Sequence, residues 1–116
     1  MEGLLSGGFT DIRIKDLDDA ASGPSGQGAL VRVVLRLSPS APTAWANYFN
    51  DRWQQQFYMS KRHANVFGDK LEIICMPHEL ESDHLPELKK VIAETNDAYR
   101  RYVAKQRVQE ETEKGQ

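Results

Sequence analysis

Asn65-Val66-Phe67-Gly68-Asp69-Lys70-Leu71-Glu72-Ile73-Ile74-Cys75-Met76 contains two β-prone runs around Gly68-Asp69. That dipeptide suits a two-residue turn of the primed type, with the glycine taking the positive φ. Such a turn sets Phe67 opposite Lys70 and Val66 opposite Leu71. Side chains alternate along a strand, so one face carries Ala64, Val66, Leu71, Ile73 and Cys75, a core pattern. The other carries His63, Asn65, Phe67, Lys70, Glu72, Ile74 and Met76, polar with apolar residues mixed in. A slip of one residue exchanges the two faces, so this register decides which surface is the core.

Upstream, Ala29 to Ser38 is the strongest strand signal. Val31, Val33, Leu35 and Leu37 point toward a core, with Arg32, Val34 and Arg36 opposite. Phe9 to Leu17 reads as another strand, Ile12 and Ile14 alternating with Asp11, Arg13 and Lys15. Residues 18–28 between them are small, polar and glycine-rich, which reads as a flexible loop. Antiparallel pairing across this connection is tolerable because closure cost rises slowly with loop length.

Two helices follow from spacing. Ser40 or Ala41 precedes Pro42 at a first helical turn. Trp45, Phe49, Trp53 and Phe57 then recur every four residues, with Tyr48 beside them and a polar opposite face. Each such aromatic buries about 150–250 Å², a gross gain of about 4–6 kcal/mol as an upper bound. After Pro77, residues 78–83 read as an acidic connection. Ser82 or Asp83 can cap a second helix with Pro86 in its first turn and a stripe of Leu85, Leu88, Ile92, Thr95, Tyr99 and Tyr102 or Val103.

The order is therefore ββαββα. The predicted architecture is α+β, a two-layer sandwich with two helices on one face of a four-stranded, mostly antiparallel sheet. At 116 residues and 40% hydrophobic content there is room for one core. The expected organisation is a flexible N-terminus at 1–8, one domain at 9–103, and a frayed or disordered tail at 104–116.

Fifteen basic against seventeen acidic residues leave a net charge of −2, which gives no general attraction to nucleic acid or membrane. No apolar run approaches the roughly 18 residues of a membrane span. One cysteine and no signal-peptide pattern over Met1 to Gly8 point to a cytoplasmic setting.

Few residue constellations carry chemistry. Asp16-Leu17-Asp18-Asp19 starts like a calcium loop but has Ala21 and Gln27 where Gly and Glu belong. Gly23, Gly26 and Gly28 match neither a dinucleotide nor a Walker fingerprint. His78, Glu79, Glu81, Asp83 and His84 form the densest set of potential metal ligands, and a metal-dependent protein using 78–84 is the second alternative. A solvated connection explains the same residues, so no metal or cofactor is assigned. Cys75 falls at a core-facing position without a base beside it, and no catalytic residue emerges.

The first alternative is single-strand nucleic-acid binding through Lys61, Arg62 and His63 together with the basic and aromatic residues of the open sheet face. The leading expectation is a non-enzymatic interaction domain, a homodimer or a module docking a protein partner. Its contacts on the open sheet face are Arg32, Val34, Arg36, Phe67, Lys70, Ile74 and Met76, and a sheet edge is a second route.

Overall fold

A computed structural model of the chain describes residues 9–114. The strands are β1 (Arg13–Leu17), β2 (Gly23–Pro24), β3 (Val31–Ser38), β4 (Ala64–Phe67) and β5 (Lys70–Cys75). The helices are α1 (Thr43–Gln55) and α2 (Leu85–Lys114). The sheet runs β1-β3-β5-β4, with β2 on β3, and every pairing is antiparallel. Expected residues 1–8 lie outside the described part. Over 104–114 the chain continues α2, with Ala104, Lys105, Gln106 and Val108 exposed.

The β4–β5 hairpin has the register that its turn dictates: Phe67 opposite Lys70, Val66 opposite Leu71. Gly68 has φ +60° and, among the described residues, no non-glycine residue has positive φ, the combination of a turn with Gly at its first central position. The Asp69 and Gly68 carbonyls accept the Leu37 and Ala41 N–H groups at 2.7 and 2.9 Å, which docks the turn on the end of β3. Ala64, Val66, Leu71, Ile73 and Cys75 are all buried in one cluster with Val33, Leu35 and Leu37.

Both helices cover that face. Trp45, Phe49 and Trp53 are fully buried and stack in near-parallel succession, with ring centroids 5.8 and 6.1 Å apart. From α2 come Leu88, Val91, Ile92 and Thr95, so Val91 joins the expected stripe while Tyr102 stands partly exposed.

Three expectations are corrected. Phe57 is not the fourth rung of the aromatic stripe: α1 stops at Gln55, Gln56 is extended, and Phe57 is 84% exposed. The stretch before α2 is not an open connection but a 3₁₀ turn, Pro77–Glu79, followed by a wider π turn, Leu80–His84, whose Glu79 and His84 are buried. The loop at 18–28 carries β2 and bonds to the β3 edge, with the Asp18 N–H donating to the Val34 carbonyl at 2.8 Å and the Val34 N–H to Ser22 Oγ at 2.9 Å.

Each outer edge of the sheet is capped at one residue by an asparagine. The Val66 N–H donates to Asn50 Oδ1 at 2.8 Å, and Asn50 Nδ2 donates to the Val66 carbonyl at 3.3 Å. On the opposite edge the Ile12 N–H donates to Asn96 Oδ1 at 3.0 Å, and Asn96 Nδ2 donates to the Ile12 carbonyl at 2.9 Å. Each side-chain amide imitates a neighbouring strand at one residue, which blocks edge pairing there. Asn96 also accepts the Trp45 indole N–H at 2.9 Å. Asn96→Ala orphans three buried groups at once. Stability in urea is expected to fall by about 3 kcal/mol or more, at about 1–3 kcal/mol per unsatisfied group.

Candidate functional site

The sheet face away from the helices brings the strand residues Arg32, Val34, Arg36, Lys70 and Ile74 onto two paired strands. Arg32, Val34 and Arg36 lie opposite Ile74, Glu72 and Lys70. Their environment differs from the expected interface. Arg32 pairs with Glu72 at 2.9 Å, Arg36 with Asp16 at 2.6 Å, and Lys70 with Asp18 at 2.9 Å. Arg36 and Lys70 hold the Asp16 and Asp18 carboxyls below their usual range by hydrogen bonding. Each of these cations has an acid beside it, so the face is locally neutral.

Val34 is corrected as a contact residue. It stands on this face but is only 4% exposed, flanked by Arg32, Arg36 and Glu72 and bonded along its backbone to the 18–22 segment. Phe67, 51% exposed, sits next to the hairpin turn, whereas half-buried Ile74 and Met76 lie toward the other end of β5. Glu72 separates them on the same strand face, so they do not make one apolar patch.

Of the cations of the nucleic-acid alternative, Arg62 has an acidic partner. Arg62 forks onto Glu79, with Nε–Oε1 at 3.0 Å and Nη2–Oε2 at 2.9 Å. Lys61 Nζ donates to the Gln54 carbonyl at 3.1 Å and lies 5.8 Å over the Trp53 ring. His63 is exposed. The possible metal ligands separate as well: His78 and Glu81 are exposed, while Glu79 and His84 bond each other. Among the described residues, no three His, Cys, Asp or Glu side chains gather as a metal centre.

A buried polar chain takes shape instead. Tyr58 Oη lies 2.7 Å from His84 Nδ1, and His84 Nε2 lies 3.1 Å from Glu79 Oε1. Glu79 in turn holds Arg62 and accepts the Met76 N–H at 3.2 Å. The Arg62 guanidinium, then His84 and the Met76 N–H, bring the Glu79 carboxyl from the ordinary 4.5 down to about 2. An ionised carboxylate only accepts, so Nε2 donates to it, and Nδ1 shares a hydrogen bond with the Tyr58 hydroxyl. Burial raises the Tyr58 phenol, with Glu87 and Asp83 adding to the effect. Burial likewise raises the Cys75 thiol, reinforced by the Glu79 charge, so neither group is an activated nucleophile.

This chain anchors the loop after α1. Tyr58 packs edge-on against Trp53, and its carbonyl accepts the Lys61 N–H at 3.1 Å. The Trp53 indole N–H donates to the Arg62 carbonyl at 3.0 Å, and the Gln56 amide donates to Glu87. On either side of the pinned tyrosine, Phe57 and Met59 stand 84% and 95% exposed. Spacing alone placed Phe57 in the core and did not single out Met59. No periodic signal in the sequence marks the change of direction here: Gln56 is extended and Met59 lies in a turn closed by the Lys61 N–H on the Tyr58 carbonyl.

Comparison of the chain with protein-family models, curated proteins and solved structures finds no match.

The low Glu79 value has a definite sign in stability. A depressed carboxyl stabilises the fold fully above its unfolded value near 4.5, and that share is lost as pH falls toward about 2. Urea midpoints between these pH values are expected to fall more steeply for the native chain than for Glu79→Gln. Equal slopes would mean that Glu79 is not held ionised.

Proposed function

We propose that the chain is a non-enzymatic protein-interaction domain whose docking element is the loop carrying Phe57 and Met59. The observation that carries this reading is the exposure of two large apolar side chains on a backbone fixed from within. Binding energy at interfaces concentrates in a few apolar or aromatic anchors, and a preorganised anchor loses little entropy on docking. The loop meets both conditions: Tyr58 is bonded to His84 between the two exposed residues, and Arg62 at the loop's far end is tied to Glu79. The sheet face supports the reading less, because its cations are paired and its apolar residues stand apart.

Phe57→Ser with Met59→Ser is expected to leave stability in urea within about 0.5 kcal/mol, since both side chains are largely exposed. A photoreactive benzophenone side chain at position 57 is expected to trap one discrete protein adduct in the producing cells. Met59→Ser weakens that capture, as loss of an anchor worth about 2 kcal/mol should. No discrete adduct, or binding of the purified chain to anionic lipid vesicles that the double variant abolishes, would count against a protein partner.

A further inference from the structure

We propose that the outer edge of β1 and the adjoining flank of α2 form a groove for an extended acidic peptide, taken up as an added strand. The proposal stands independently of the Phe57 loop and begins with hydrogen-bond parity. The Leu37 N–H donates to the Asp69 carbonyl, so odd-numbered residues of β3 bond toward β5. Val34 turns its N–H and carbonyl to Ser22 and Asp18, so even-numbered residues bond toward β1. Ile14 lies opposite Leu37 and therefore directs its own N–H and carbonyl away from the sheet. Ile12 does the same two residues earlier, where Asn96 binds both groups.

Asn96 thus occupies one rung of a strand ladder. The next rung, at Ile14, has no partner among the described residues. Strand rungs repeat every two residues, about 6.8 Å, so a peptide beside Ile14 adds one rung to the one Asn96 fills, and the register shift between Ile14 and Asp16 ends the regular edge there. The space exists: a groove of about 350 Å³ runs between Ile12 and Ile14 on one side and Ile92 and Ala93 on the other. This combines a free backbone edge with an apolar side wall, as in strand-addition peptide recognition.

Charge selects the occupant. Arg13 and Lys89 line the groove, both are exposed, and neither has an acidic partner among the described residues. The groove's acid, Asp11, is bound to Arg100. A second copy docked edge to edge would set the exposed Arg13 and Lys15 of one β1 against the same cations of the other, which is destabilising. An extended peptide with an apolar side chain turned inward and carboxylates on either side satisfies all three features.

The test titrates the full ¹⁵N-labelled chain with a short capped peptide of alternating glutamate and valine. Saturable shifts at Ile14 and Ala93 and slowed exchange of the Ile14 amide are expected. Ile14→Pro deletes the outward donor at an edge position where proline is tolerated, and is expected to abolish binding. Lys89→Glu, at an exposed site that leaves the fold intact, is expected to weaken it about tenfold, equivalent to about 1.4 kcal/mol. Absence of saturable shifts, equal binding of a lysine–valine peptide, or indifference to Lys89→Glu would each overturn the proposal. Shifts confined to the Phe57 loop would overturn it too, while leaving the loop's own role standing.

Discussion

The stacked rings of Trp45, Phe49 and Trp53 organise the molecule, because two of the three bring a polar demand into the core. A buried indole N–H needs an acceptor. Trp45 finds Asn96 on α2, and Trp53 finds the carbonyl of Arg62 just ahead of β4. The first bond fixes α2 against α1 and presents the Asn96 amide to Ile12. The second sets the path by which the chain enters the hairpin. One helix therefore seats the core and also aligns the second helix with an edge of the sheet. Losing either ring leaves a cavity and strands a polar partner as well.

The same economy governs the edges. A sheet of four main strands exposes backbone donors and acceptors along both outer strands, an invitation to aggregation. Asn50 and Asn96 answer it from the helices, each matching one N–H and one carbonyl. The open face is treated differently. Three ion pairs lie around Val34, each cation neutralised by its own carboxylate. Exposed pairs of this kind add little stability, with a median of about 0–1 kcal/mol, so their effect is on what the face can attract.

The hairpin register was legible because a two-residue turn and strict alternation leave a single solution, and the stripes on both helices were legible for the same reason of period. What escaped depends on partners distant in sequence. Gln54-Gln55-Gln56-Phe57 contains no helix stop, and the i, i+4 spacing carries the aromatic stripe through Phe57. Tyr58 ends that pattern in space by packing on Trp53 and bonding His84, which lies twenty-six residues further on. The burial of Glu79 and His84 was illegible because Arg62 and Tyr58 compensate them from another element. Asn50 lies off the apolar stripe of α1, where helical spacing gives it no more than a polar face, and its use emerges only once β4 is known to be an edge.

The exposed loop runs against the stabilising tendency of the rest. Fully burying a Phe or Met side chain gains about 1.5–3 kcal/mol, so leaving both in water forgoes several kcal/mol. The loop is also tied down by a chain of polar contacts, from half-buried Tyr58 through buried His84 and Glu79 to half-buried Arg62. Such a network rigidifies only when every member is satisfied, and no buried side-chain polar atom among the described residues lacks a partner. Local choices in a folded sequence normally agree with one another, and departures from that agreement cluster where function imposes them. Here a satisfied buried network holds two apolar side chains outside the core, an arrangement that stability alone does not select.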